Sequence, residues 1–319
     1  MSSLLLSNIK TLAGIYNGKD AIRGRSLSTL NAISNAYLLI EGGEVAGFGE
    51  MKELDGKNIP DKIIDATGKM VLPAWCDSHT HLVYAGSREE EFVDKIKGLN
   101  YAEIALHGGG ILNSANKLIN ESEDQLFNAA YGRLNEAAIL GTGSIEIKSG
   151  YGLTPESEIK MLRVIKKLKE RSSLNIRSTF LGAHTYPIAY VSDHQQYIRL
   201  IIDEMLPVIA KEKLADYIDV FCENGFFSNE ETDQICRAGM QYGLKPRIHA
   251  NQLSASGAVQ AGIGLNAVSV DHLEVMDEEA INSLSNSSTI GTLLPTAAFF
   301  LRMPYQPARE LIDRDCAIA

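Results

Sequence analysis

From Lys69 onward the sequence repeats one pattern: a short apolar run, a turn-rich stretch, then an amphipathic helical segment. Strands are expected at Val71–Trp75, Ser144–Lys148, Ile176–Leu181, Tyr217–Phe221, Lys245–His249, Ala267–Val270 and Thr289–Leu294. Pro155-Glu156 opens one intervening helix, with proline in the first turn, where its missing N–H costs nothing. From His194 to about Lys211, Ile198, Ile201, Ile202, Met205 and Ile209 fall on a 3.6-residue stripe. Further helices are expected over Asn229 to Tyr242, Asp277 to Leu284 and Pro307 to Asp313. Short apolar strands alternating with helices need a parallel sheet covered by those helices. Seven units can be counted, and Cys316–Ala319 starts an eighth strand. That count fits an α/β fold of the (β/α)8 TIM-like barrel type lacking its C-terminal end. The competitor is a doubly wound open sheet, but the first strand has no G-x-G-x-x-G turn after it.

Residues 1–68 follow another rule. Short runs at Leu4–Ile9, Tyr37–Ile40, Val45–Phe48 and Lys62–Ile64 are separated by Gly, Asn and Asp. Glu41-Gly42-Gly43-Glu44 is a hairpin signal. The expected organisation is a small β-sandwich-like subdomain over 1–68 and a barrel over 69–319.

Polar residues at the strand ends carry the chemistry. Asp77-Ser78-His79-Thr80-His81 follows the first expected strand. Histidines at i and i+2 on a strand share a face, and at the C-terminal mouth of a barrel that face looks into the active site. Taken alone, the pair suits a shared zinc or iron ion or two hydrogen-bonded strand-end side chains. His184, His249 and His272 stand at the ends of later strands, so five of the seven histidines converge on one mouth. The other two, His107 beside a glycine run and His194 at a helix start, read as surface residues. Lys148, on the second strand, reads as an ion-pair partner for Glu146 rather than a metal-bridging lysine. Gly108-Gly109-Gly110 lacks the Lys-Ser/Thr pair of a phosphate loop and reads as a loop near the mouth.

Asp77-Ser78-His79-Thr80-His81 behind a β-rich N-terminus resembles the metal-dependent amidohydrolase superfamily. The strings HTHLVYAGSREEEF (79–92), HGGGI (107–111), EIKSGYGL (146–153), STFLGAHTYP (178–187), IHANQLS (248–254), SVDHLE (269–274) and TLLPTAAFFL (292–301) are similar to the imidazolonepropionase family. They run in order over most of the chain. The resemblance implies hydrolysis of the cyclic amide of 4-imidazolone-5-propanoate to N-formimidoyl-glutamate, in histidine degradation. It implies one divalent ion, zinc or iron, held by His79, His81 and His249. Arg88, Tyr151, His184 and Gln252 would contact substrate, and His272 and Gln252 would be catalytic, with His272 beside the reacting water. Some members carry Glu where this chain has Gln252, and an amide takes up no proton. The family's further metal-ligating Asp, at the end of strand eight, would follow Ala319, as would an Asn and a Gly-Ser pair. The 319 residues are therefore expected to be a truncation, about a hundred residues short of a closing strand, helix and returning β segment. The rival readings are a heterocycle deaminase of the same superfamily, which would release ammonia, and an inactive truncated barrel or binding scaffold.

Charge and composition set the partners. Lys plus Arg is 30 against 40 Asp plus Glu, a net charge of −10, which gives no general attraction to nucleic acid or anionic lipid. No uncharged apolar run approaches the ~20 residues of a membrane span. The first residues, MSSLLLSNIK, lack the basic region and long apolar stretch of a signal peptide. Four scattered cysteines without a C-x-x-C pair suit a reducing cytoplasm. The expected partners are a small anionic imidazolone substrate and a second copy in a homodimer, with no nucleic acid and no membrane.

Overall fold

The computed structural model describes residues 3–319 except 17, 19, 57–59, 61 and 100–108, so His107 and Gly108 lie outside the described residues. The chain forms two compact units, Met1–Ala74 and Trp75–Ala319.

In the first unit, β1 (Ser3–Ala13) is central. It pairs antiparallel with β2 (Ala32–Glu41), which pairs antiparallel with β3 (Glu44–Glu50). The hairpin expected at Gly42-Gly43 is there, with φ of 61° and 90° at the two central residues. Two successive positive φ values are what a two-residue loop needs to match the strand twist, and glycine supplies them without a Cβ clash. Short β4 (Ile63–Asp65) and β5 (Met70–Val71) pair parallel with β1. Alternation along β1 buries Leu5, Ser7 and Ile9 on one face, and Ile9, Leu12, Ala36 and Ala66 form a small apolar core.

The division falls after Ala74 rather than after residue 68, and the first barrel strand is shifted accordingly. Val71–Trp75 is not one strand: Met70–Val71 belong to the small sheet, and the barrel strand β6 is Trp75–Thr80. Pro73 explains the break, since it offers no N–H to continue a ladder. The consequence is functional. His79 lies on the strand itself, and His81 just beyond its end.

The second unit is a parallel sheet in sequential order: β6, β7 (Thr142–Lys148), β8 (Asn175–Ala183), β9 (Tyr217–Cys222), β10 (Lys245–Ala250), β11 (Ser269–His272) and β12 (Ile290–Leu293). Ile318 bridges to Gly291 in parallel, with Ala319 N donating to Gly291 O at 3.0 Å, so the eighth-strand ladder begins where the sequence places it. Curvature separates a barrel from an open sheet. β6 and β11 are five strands apart, roughly 24 Å in a flat sheet at ~4.8 Å per strand. His79 Nδ1 on β6 nevertheless lies 2.7 Å from Asp271 Oδ2 on β11. Only a sheet curled on itself allows that contact, which rules out the doubly wound alternative.

The helices follow their sequence signals. Thr154 caps Pro155–Arg171 by accepting from Ser157 N at 3.2 Å, with acids in the first turn and Lys169 and Arg171 in the last, complementing the helix dipole. Its buried stripe is Glu158, Met161, Leu162, Ile165 and Leu168. The segment expected to be one helix from His194 is helical to Glu212 but widens into a π turn over Leu200–Met205. Pro207, which cannot donate to the carbonyl one turn back, accounts for the widening.

Leu162 is fully buried in the helix–barrel core. Leu162→Ala should cost about 2–5 kcal/mol of unfolding free energy, whereas Glu170→Ala on the exposed side of the same helix should stay within about 0.5 kcal/mol. Denaturant titration of the two variants checks this, and equal midpoints would contradict the packing.

Candidate active site

The strand ends bring three imidazoles together. His79, His81 and His249 each offer a ring nitrogen, all within 4.8 Å of one another. Burial holds all three well below the ordinary imidazole range, with added repulsion from Lys148 and neighbouring histidines. They are therefore neutral near pH 7, the form that binds metal. Asp271 is held well below the usual carboxylate range: burial opposes this, but Arg247, Lys148 and His79 outweigh it. An ionised carboxylate only accepts, so Nδ1 of His79 carries the hydrogen and its Nε2 keeps a lone pair. His249 Nδ1 comes within 3.0 Å of Asp219 Oδ2, off the line of a hydrogen bond. Nδ1 of His81 is buried with no hydrogen-bond partner among the described residues. Clustered neutral imidazoles with unspent lone pairs fit a divalent cation of borderline softness.

Below the histidines lies a layer of buried charge. Lys148 Nζ sits 2.9 Å from Glu146 Oε1, 2.7 Å from Asp219 Oδ2 and 3.5 Å from Asp271 Oδ2. Arg247 Nη2 donates to Ser78 O at 2.7 Å and lies 3.2 Å from Asp271 Oδ2. The ion pair expected between Lys148 and Glu146 is thus part of a larger network. The acids that orient His79 and His249 were not singled out from sequence. Their signal was alternation: Asp219 and Phe221, Ser269 and Asp271, and Arg247 and His249 are two residues apart on short buried strands.

A cavity of about 840 Å³ opens over the histidines. All eight expected site residues line it: His79, His81, Arg88, Tyr151, His184, His249, Gln252 and His272. Apolar walls come from Ile111, Phe221, Phe226, Leu294 and Phe300, and Lys95 adds a second cation near Arg88. Sequence reading did not mark these walls, because an apolar side chain on a strand or helix reads the same whether it faces a cavity or the core.

Each polar lining residue is delivered by a loop or strand end. Tyr151 follows Gly150, whose φ of 114° turns the chain sharply. A Cβ at Gly150 would lie 2.9 Å from His184 Nδ1, so only glycine fits. The Tyr151 ring lies 5.4 Å from that of His81 and 5.3 Å from that of His184, and His81 and His184 stack at 5.1 Å. Burial pushes His184 down to about 3, so its ring is neutral. Nδ1 donates to Gly150 O at 3.0 Å, which leaves Nε2 as an acceptor. His272 has its ring 5.0 Å from His249 and 5.2 Å from His79, on backbone of positive φ (88°). Gln252 is held next to a backbone clamp, where Glu223 accepts from Leu253 N at 2.8 Å. Arg88 Nε donates to buried Glu91 Oε2 at 2.9 Å, and Glu91 Oε1 accepts from Gly110 N at 2.9 Å. His194 stands apart from the cavity, stacked on Tyr186 at 3.7 Å and 3.0 Å from Glu231.

The chain resembles known proteins in sequence and, separately, in fold. The chain is 51% identical over 316 residues to the imidazolonepropionase of Flavobacterium johnsoniae, covering 99% of this chain and 77% of that protein. It is 50% identical over 318 residues to that of Christiangramia forsetii, with the same coverage. No family model matches the chain. Among solved structures, a triazine hydrolase variant matches with a TM-score of 0.70 at 14% identity, covering 99% of this chain and 70% of that one. Guanine deaminase from C. acetobutylicum, with guanine bound in its active site, matches at 0.69 and 16% identity over 100% and 74%. Atrazine chlorohydrolase from Arthrobacter aurescens TC1, complexed with zinc, matches at 0.62 and 12% identity over 99% and 71%. At such identities these structures speak for the amidohydrolase barrel alone, whereas half-identity along nearly the whole sequence speaks for descent: the chain belongs to the imidazolonepropionase family.

Proposed function

We propose that this protein opens the ring of 4-imidazolone-5-propanoate with water, giving N-formimidoyl-glutamate. The observation that carries the reading is the convergence of a neutral three-histidine cluster with an arginine, a tyrosine and a fourth buried histidine on one cavity. His79, His81 and His249 would hold one divalent ion, zinc or iron. Bound there, the ion would supply Lewis acidity, able to polarise a carbonyl and to lower the pKa of water to about 7.

The chain's own groups do the rest. The substrate presents a carboxylate tail, a ring carbonyl and ring nitrogens. Arg88, with a planar fork of donors, takes the propionate, and its tie to Glu91 fixes the direction of that fork. His184 Nε2 accepts a hydrogen from a ring N–H, while the Tyr151 phenol and the Gln252 amide bind the remaining ring edges. Water adds to the carbonyl carbon, and the C–N bond to the ring nitrogen breaks. That nitrogen must gain a proton and the water must lose one. Gln252 has no basic atom to mediate this, so the task falls to His272, whose ring is within contact of the cluster. No helix among the described residues is long and apolar enough to cross a membrane. The acidic net charge of −10 gives no general attraction to nucleic acid, and the setting proposed here is a homodimer in the cytoplasm.

The direct experiment is incubation with 4-imidazolone-5-propanoate. The expected result is one N-formimidoyl-glutamate per substrate consumed and no ammonia. Released ammonia would transfer the chain to the deaminase reading. Replacing both His79 and His81 by Ala should abolish metal binding and turnover together, as read by elemental analysis of the purified protein. Stoichiometric metal in that double variant would refute the ligand assignment. Arg88→Ala should raise KM by about tenfold to over a hundredfold, the cost of ~1.5–3 kcal/mol for a charge-assisted pair, with metal content unchanged. An unaltered KM would remove Arg88 from the carboxylate site.

A further inference from the structure

Glu158 is fully buried, yet its partners are not side chains of opposite charge. Its Oε1 accepts from Gly152 N at 2.6 Å and from Leu153 N at 3.0 Å, and its Oε2 accepts from Gly150 N at 3.1 Å. The Ser149 side chain donates to it as well. An acid in the first turn of a helix ordinarily faces solvent and gains from the helix dipole. This one points back into the chain before its own helix and spends both oxygens on one loop. That loop is bent into the left-handed region at Gly150 (φ 114°) and again at Leu153 (φ 56°), a conformation a leucine rarely adopts. Gly152 is packed so closely that a Cβ there would lie 2.3 Å from the Glu158 amide nitrogen. Burial raises the Glu158 carboxyl above its ordinary range, opposed by the hydrogen bonds it accepts; with three backbone N–H groups aimed at its two oxygens, the arrangement is that of an anion nest filled from within the chain.

The residue the loop carries is Tyr151. Its flanks are tied down twice: Gly150 N by Glu158 and Gly150 O by His184 Nδ1. We propose that Glu158 is a positioning residue: its carboxylate fills the amide nest of the loop after β7 and so holds the Tyr151 phenol against His81 and His184. The proposal rests on the reading that Tyr151 contacts substrate. It predicts that losing the nest anion weakens substrate binding through Tyr151 and leaves the histidine cluster intact.

Glu158→Gln keeps the volume but turns one acceptor into a donor that faces N–H groups. In the full chain, hydrogen–deuterium exchange of the 149–153 backbone should speed up by about tenfold or more, with exchange in β9 and β10 unchanged. KM for 4-imidazolone-5-propanoate should rise about tenfold with kcat within about threefold. Combined with Tyr151→Phe, the KM effects should be strongly sub-additive. A merely structural Glu158 would instead speed exchange across the barrel, lower kcat per mole of protein and leave KM alone. Unchanged exchange at 149–153, or KM effects that multiply with those of Tyr151→Phe, would overturn the proposal. Should the variant fail to fold, the unmutated protein still decides: fast, unprotected exchange at Gly150, Gly152 and Leu153 refutes a filled nest. A wild-type protein that leaves the imidazolone untouched refutes the functional reading, while the exchange comparison still judges Glu158.

Discussion

A lysine ammonium with no exposure to solvent has to be neutralised where it stands. Lys148 is such a group, and the barrel is arranged around meeting that demand. Burial pulls its proton affinity down, but Asp219 and Glu146 outweigh burial and hold it above the ordinary lysine range, so the charge is kept. Removing one partner from a buried ion pair costs about 3–5 kcal/mol, because the other is left desolvated and alone. The acids around Lys148 come from β7, β9 and β11, three strands that do not neighbour one another. Their convergence fixes the curl of the sheet. Two of them then reach upward, Asp271 to His79 and Asp219 to His249. The hydrogen bond to Asp271 fixes the tautomer and orientation of the His79 ring, while Asp219 accepts from the His249 backbone N at 3.2 Å and lies beside its ring. The same network that curls the sheet thus lies against the histidines.

Above that layer the fold solves a different problem. Loops that carry binding residues are mobile unless their backbone is tied down. Here buried glutamates supply the ties. Glu91 takes the N–H of Gly110 together with Arg88. Glu158 takes three amides around Tyr151. Glu223 takes the amides of Leu253 and Ser254 beside Gln252. A carboxylate suits the task because it offers only acceptors, several of them, and so holds N–H groups without competing donors. The polar lining of the cavity therefore stands on tied loops, with His79, His249 and His272 on the strands and His81 and His184 just past strand ends.

Much of this was legible in the sequence. Strand–helix alternation placed the barrel strands, because apolar runs bounded by turns are what a covered parallel sheet requires. The H-x-H pair and the strand-end histidines located the mouth, because a period of two fixes which side chains share a face. Two things were misread for physical reasons. Val71–Trp75 looked like one strand, since hydrophobicity continues through it while hydrogen bonding stops at Pro73. The helix from His194 looked uniform, since its apolar stripe survives a π turn that a proline imposes. The Lys148–Glu146 pair was legible from strand alternation, but the roles of Asp219 and Asp271 beside it and the Glu158 nest were not. An acid in a strand or a first helical turn reads the same whether it is solvated or clamped, and only the three-dimensional path of a loop distinguishes the two.

The site also has a chemical polarity that its parts do not have singly. Arg88 can only donate. His184, neutral and committed through Nδ1 to Gly150 O, offers the cavity only an acceptor. Gln252 can do both, and takes part in no proton transfer. On the proposed reading, an anionic tail meets the donor end and a ring N–H meets the acceptor, so the substrate has one orientation across the cavity. That orientation directs the carbonyl toward the histidine cluster. A molecule with the same ring but no carboxylate would lose the donor end and keep the rest, and its binding would weaken without its geometry being forbidden. A cationic tail would instead face Arg88 with Lys95 close by, and like charges in a partly dehydrated cavity repel strongly. On the proposed reading, Arg88 and Lys95 outnumber the one Glu91 carboxylate that pairs with Arg88, so that end of the cavity disfavours cations, and the ring's register rests on a histidine whose tautomer a backbone carbonyl decides.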